Sequence, residues 1–173
     1  GIVFEKQNNY EKAIKYYFNS LEIAKKIKNK HQESDCLNNI AGIYEKKEEI
    51  DKAFEYYQKS ITLNKEIENK EALALNLMNV SNIYRKKENY FQALENLKNS
   101  ENIASEINNR VLLRDIFQNF SEVYEAKNQS DSALKYFKKF SALKDSLINL
   151  KSLENVAELE TKYQTEKKEL ENK

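Results

Sequence analysis

Catalysis needs groups with tunable protons or lone pairs held close together, and this sequence is poor in them. Its one histidine, His31, stands between Lys30 and Gln32, and its one cysteine is Cys36. Two such ligands are too few for a nitrogen–sulfur metal site, which takes about four. No activating cluster adjoins the thiol in sequence. His31 reads as an exposed residue at a helix start, and Cys36 as a small residue packed on a helix. The only glycines are Gly1 and Gly42, so no phosphate-cradling loop can form. Acidic pairs such as Glu48-Glu49 fall in turns, where solvation accounts for them. No catalytic residue, cofactor or metal ligand is assigned, and the segment is expected not to be an enzyme. What remains is binding, and there the asparagines Asn39, Asn79 and Asn119 stand out by their even spacing.

That spacing belongs to a repeat of the whole chain. Ala13, Ala53, Ala93 and Ala133 recur every 40 residues, as do Phe4, Tyr44, Tyr84 and Tyr124. Ile27, Ile67, Ile107 and Leu147 keep the same beat, as do Asn29, Asn69, Asn109 and Asn149. A fixed period of this kind marks a repeat architecture. With no proline and two glycines among 173 residues, an all-β fold lacks its turns. Apolar residues step by threes and fours, as on helices. The spacing predicts helix A at 31–47, 71–87 and 111–127, and helix B at 10–28, 50–68, 90–108 and 130–148. Residues 1–7 read as the tail of a first helix A. Connections of two or three residues make successive helices antiparallel. Asn29, Asn69 and Asn109 are expected to take the left-handed conformation that ends a helix, in place of glycine.

Small residues explain how such helices approach. Ala41, Ser81 and Ser121 on helix A and Ala13, Ala53, Ala93 and Ala133 on helix B allow close crossings. Tyr44, Tyr84 and Tyr124, with Tyr17, Tyr57, Leu97 and Phe137, fill the space beside them. Phe140, where other units carry serine, is expected to pair with Ala157 in a following helix, an exchange of sizes. Stacked pairs can bury both faces of this pattern where one pair cannot.

The units resemble the tetratricopeptide repeat. The second reads Leu37, Ile40-Ala41, Tyr44, Glu48-x-Ile50, Ala53, Tyr57, Ser60; the third Leu77, Val80-Ser81, Tyr84, Glu88-x-Tyr90, Ala93, Leu97, Ser100. The fourth reads Phe117, Phe120-Ser121, Tyr124, Asn128-x-Ser130, Ala133, Phe137, Phe140. The resemblance implies an all-α, right-handed α-α superhelix of antiparallel helix pairs with a 40-residue period and a C-terminal extra helix. The array would occupy residues 1–148, with a truncated first repeat and full repeats at 31–68, 71–108 and 111–148. The period exceeds the family's usual 34, and Glu or Asn stands at the family's turn glycine.

The resemblance also implies a concave groove lined by helix A: Asp35, Asn38, Gly42 and Glu45, then Leu75, Met78, Asn82 and Arg85, then Asp115, Gln118, Glu122 and Glu125. Asn39, Asn79 and Asn119 would either bond a peptide backbone or satisfy groups within their own repeat. The family's clamp for C-terminal carboxylates needs lysines and an arginine where this chain has acidic or neutral groups. A peptide of apolar and basic character suits the groove better. Net charge is +1, from 29 basic and 28 acidic residues, so no field favours nucleic acid.

Residues 149–173 read either as a capping helix or as the start of a coiled coil, with Leu153, Val156, Tyr163 and Leu170 on its seam. A coiled coil would imply a homodimer through that helix. The stretch 157–169, after 143–147, resembles the junction in tetratricopeptide sensor proteins of Bacteroidetes-type bacteria. That resemblance implies the input module of a two-component histidine kinase, extracytoplasmic and anchored through a span outside this segment. The alternatives are a cytoplasmic scaffold or the input of a helix-turn-helix regulator. No signal peptide is visible, but the chain begins in mid-pattern, so this decides little.

Overall fold

The structure, a computed structural model, describes the backbone of residues 1–171. Side chains are described through residue 153 and, beyond it, at Asn155, Glu158 and Thr161. Among the described residues eight helices follow one another: α1 Ile2–Lys6, α2 Tyr10–Lys26, α3 Lys30–Lys46, α4 Ile50–Glu66, α5 Lys70–Lys86, α6 Tyr90–Glu106, α7 Arg110–Ala126 and α8 Ser130–Glu171. No strand occurs among the described residues. Each helix from α2 to α7 has 17 residues, about 25 Å at 1.5 Å per residue. Each packs on the next, so the A helices (α1, α3, α5, α7) alternate with the B helices (α2, α4, α6, α8) in a superhelix.

The helix ends show how a chain without usable glycine makes seven turns. In each, one residue takes positive φ: Asn8, Lys28, Glu48, Glu68, Glu88, Asn108 and Asn128, between 53° and 61°. Asn29, Asn69 and Asn109 are therefore not the left-handed residues. They sit one position later with φ between −78° and −87° and cap the following helix. Their Oδ1 atoms accept from the backbone N–H of Gln32, Ala72 and Leu112 at 3.1, 3.2 and 2.9 Å. An asparagine side chain is worth about 1 kcal/mol at such a cap. The capping demand therefore claims these asparagines, and their neighbours absorb the strain. Each A helix consequently starts one residue before its predicted start.

The small residues lie where the helices cross. Ala13, Ala41, Ala53, Ser81 and Ala93 are fully buried, and Tyr57 is 3% exposed. Around them run continuous apolar clusters: Ala53, Tyr57 and Ile61 of α4 meet Val80 and Ile83 of α5, and Ala93, Leu97 and Ala104 of α6 meet Ile116, Phe120 and Val123 of α7. Tyr44, Tyr84 and Tyr124 are half-buried and pack against these clusters.

The fourth repeat departs from expectation. Phe137 is 52% exposed, while Ser121, Ala133 and Phe140 are only half-buried. Their counterparts in earlier repeats are covered by the next A helix, and no such helix folds back here. Instead α8 passes through residues 148–149 without interruption, so the extra C-terminal helix is the continuation of the last helix B. Where Lys28, Glu68 and Asn108 turn left-handed, the fourth repeat has Ile148, and a β-branched residue is strained there. Asn149 stands ready as a cap, but the turn before it cannot form. The Phe140–Ala157 pairing fails for the same reason. The two positions lie on one helix about 25 Å apart, and the side chain of Ala157 is outside the described residues. So are those of Val156, Tyr163 and Leu170.

Candidate functional site

The inner wall of the stack is built by α3, α5 and α7, and polar contacts tie these helices to one another. Asn79 Nδ2 donates to Asn38 Oδ1 at 3.4 Å, joining α5 to α3. Arg85 reaches Glu122 at 3.1 Å, joining α5 to α7. Two further braces repeat: Lys46 pairs with Glu5, and Lys86 with Glu45, both at 2.7 Å. Each of those carboxylates also accepts from a tyrosine of the B helix behind it, Tyr17 at 2.9 Å and Tyr57 at 3.2 Å.

The braces set local charge. Burial alone would raise the Glu5 carboxyl, but bonding from Lys46 and Tyr17 outweighs it and holds the group below the ordinary carboxylate value. Burial first, and then the Glu5 carboxylate, push the Tyr17 hydroxyl up to about 12. Tyr57 is pushed up in the same way, by burial and by Glu45. The rim is thus an array of ion pairs.

The expected groove residues separate into three groups. Asn38, Glu45, Asn79, Arg85 and Glu122 form the braces just described. Asp115 pairs with Arg114 at 2.6 Å, Asn119 Nδ2 donates to the Asp115 backbone carbonyl at 2.8 Å, and Gln118 Nε2 donates to Glu122 Oε1 at 3.1 Å. Asp35 is exposed, while Asn39, Gly42, Leu75 and Asn82 are half-buried. Met78 does not line the groove. It is 8% exposed and belongs to the core shared with Ala74, Leu97 and Phe120. A flexible thioether fills such a gap readily. Leu75 packs against the same core, so the groove is more polar than expected. Glu125 lines a cleft at the open end of the array, beside Ala133 and Phe137. Asn79 bonds the neighbouring repeat and Asn119 its own helix, so the evenly spaced asparagines do not act alike.

Sequence reasoning missed Glu5, Lys46 and Lys86. The bonded partners lie 41 residues apart, but Glu5 and Glu45, and Lys46 and Lys86, each recur at 40, so the repeat carried the signal and it was read as solvated charge on helix exteriors. It also missed two buried polar atoms without a partner, Asn82 Oδ1 and Arg85 Nε. They are an acceptor and a donor one turn apart on α5.

Elsewhere the chemistry is sparse. Cys36 is buried in the core between α2 and α3, and His31 is exposed. Among the described residues no group of three His, Cys, Asp or Glu could hold a metal. Among them, too, no helix is long and apolar enough to cross a membrane.

Stacked antiparallel helix pairs with a braced polar inner face define a helical-repeat interaction module. More particularly, the chain belongs to the tetratricopeptide repeat family, whose model matches residues 1–66 and 71–146. Repeats of this family are non-catalytic and mediate protein–protein interaction. Among solved structures, the chain is similar to BtubC (BKLC) from P. vanneervenii, with 16% identity over 83% of this chain and 60% of that one, and a TM-score of 0.73. It is similar to the apo form of RapI, with 22% identity over 84% of this chain and 40% of that one, and a TM-score of 0.74. A putative kinesin light chain of Podosopora anserina with nearly identical TPR-like repeats shows 12% identity over 83% and 71%, with a TM-score of 0.63. At these identities the likeness is one of fold. The chain spans 60% and 40% of the length of the first two. No curated protein matches it.

Proposed function

We propose that the inner face of α3, α5 and α7 holds an extended peptide segment of a protein partner. The observation that carries this reading is the orphan pair on α5. Asn82 Oδ1 lacks a donor and Arg85 Nε lacks an acceptor, and buried polar groups are rarely left unpaired. Both atoms are sealed from solvent, so a peptide backbone, which offers an N–H and a C=O, satisfies them once the two side chains turn toward the groove. The exposed Asp35 carboxylate on α3, and the lack of an apolar Met78 surface, favour a segment with basic side chains over a greasy one.

The finer reading is that of an input module. A partner held between α3 and α7 would shift the braces between repeats, and α8 is continuous from the fourth repeat to residue 171, so it would carry that shift outward. The resemblance of residues 143–169 to sensor junctions supports a two-component histidine kinase as the output and an extracytoplasmic position for the array. A soluble scaffold would use the same groove without an output domain. The full reading frame separates the two, since a span and kinase downstream support the input module and their absence removes it.

Groove binding is tested with an array of random extended peptides and fluorescence anisotropy on the hits. Replacing Asn82 and Arg85 together by alanine removes two backbone contacts and should weaken every hit about tenfold or more. Equal binding by this variant, with helix content unchanged, overturns the groove assignment.

A further inference from the structure

From the open stripe of α8 we infer that this chain forms a two-fold dimer, with α8 packed antiparallel on α8 of a second copy. In each earlier repeat the corresponding stripe of helix B is roofed by the next helix A: Ala53 and Tyr57 are 0% and 3% exposed, Ala93 and Leu97 both 0%. On α8 the same positions are Ala133 and Phe137, and the phenylalanine is 52% exposed. The chain's own next segment cannot roof it, because α8 runs straight on. The surface is therefore continuous with the interface that holds the whole stack together, and it lacks only its covering helix.

What covers it is indicated by how the stripe differs from its counterparts. Phe140 replaces the buried serines Ser60 and Ser100, and its ring lies 5.9 Å from that of Phe137. Lys144 replaces Asn64 and Ala104, which are 1% and 0% exposed. A lysine there would be buried under another copy of helix A, so the stripe is not built for the sequence that covers it elsewhere.

The spacing is common to all helix B stripes, as in Ala53, Tyr57, Ser60 and Asn64, but only on α8 are both central positions aromatic, so that the stripe matches itself. Ala133, Phe137, Phe140 and Lys144 are spaced four, three and four residues apart, a palindrome. Rotation about the midpoint of the two phenylalanines lays each ring on the other's partner and each lysine over an alanine. The cleft beside that alanine is lined by Glu125, and the cleft at Lys144, of about 680 Å³, is lined also by Arg114, Lys151 and Glu158, three cations against one carboxylate. Antiparallel pairing thus brings the cationic end of one copy to the carboxylate end of the other, as a two-fold interface requires. Parallel pairing would set Lys144 against Lys144.

Sedimentation equilibrium of the 173-residue chain over a broad concentration range tests the inference. A reversible dimer is expected. Phe137→Lys should raise its dissociation constant about 30-fold or more, as for a central anchor. Glu125→Lys and Lys144→Glu should each raise it about tenfold, and the combined variant should return to within about threefold of the parent. Circular dichroism confirms that the variants stay folded, since all three side chains lie outside the inter-repeat core. A chain that remains monomeric throughout overturns the inference. So does a dimer indifferent to Phe137→Lys, or a combined variant no better than its parts. Uptake of a peptide spanning residues 70–86 by a monomeric chain would assign the stripe to a helix A instead, and also overturns it.

Discussion

The third and fourth repeats follow the same sequence beat and reach opposite outcomes. In the third, Ser81, Ala93, Leu97 and Ser100 are completely enclosed. In the fourth, Ser121, Ala133 and Phe140 are half-buried and Phe137 is exposed. The difference does not lie within the repeat, for α7 packs on α8 as α5 packs on α6. It lies in what comes next. A repeat in a solenoid is stabilised largely by its neighbour, so identical residues contribute a core in one place and a surface in another. The charged contacts follow suit. Lys30 pairs with Glu66 and Lys70 with Glu106, but at the matching place the fourth repeat's Arg110 donates to the hydroxyl of Ser146 at 2.8 Å and not to a carboxylate.

The sharpest way to break this comparison is to truncate the same position in both repeats. Leu97→Ala removes a fully enclosed side chain and should cost about 2–5 kcal/mol by chemical denaturation. Phe137→Ala removes a larger side chain from a half-open surface and should cost less than about 1 kcal/mol in the monomer. Similar losses at the two positions would mean that α8 is covered within its own chain, contrary to the exposure of Phe137.

The repeats and their crossings were legible because period and residue size are properties of the sequence alone. Ala13, Ala41, Ala53 and Ala93 needed no coordinates to be placed at crossings. Phe137 and Ala133 were misjudged because burial depends on the following element, which their own repeat does not encode. The groove was legible as a face but not as a set of contacts. Nothing in Met78 distinguishes a lining side chain from one that bends back into the core, and Asn79 and Asn119 share a register but bond differently.

A comparison of two inner interfaces yields the next prediction. Between α4 and α5, Asn64 and Asn76 are each 1% exposed and both donate to the hydroxyl of Ser60, at 3.3 and 2.6 Å. That hydroxyl in turn donates to the Ser34 carbonyl at 3.0 Å. Both amide oxygens are left without a partner. One repeat later the same two positions are Ala104 and Ile116, both fully buried. An orphan buried acceptor costs about 1–3 kcal/mol, whereas removing both partners of a polar pair can be neutral or stabilising. Asn64→Ala with Asn76→Ile should therefore raise stability by about 1–2 kcal/mol, read as a higher denaturation midpoint at unchanged slope. A drop in stability would show that the amides are fully satisfied and that the two interfaces are energetically alike.

The smallest effect tests why the fourth repeat ends as it does. Asn108-Asn109 turns and caps, whereas Ile148-Asn149 continues as helix. Two terms favour a turn when isoleucine is replaced by asparagine. The left-handed conformation becomes accessible, easing a penalty of about 1–2 kcal/mol, and helix propensity falls by a few tenths. The balance at residue 148 should thus move by about 1 kcal/mol. In Ile148→Asn, backbone amides at 149–153 should exchange roughly tenfold faster, while those of α5 and α6 keep their protection. Unchanged exchange would place the cause of continuity beyond residue 149, in the helix-forming residues that follow, and not in the one residue that cannot turn left.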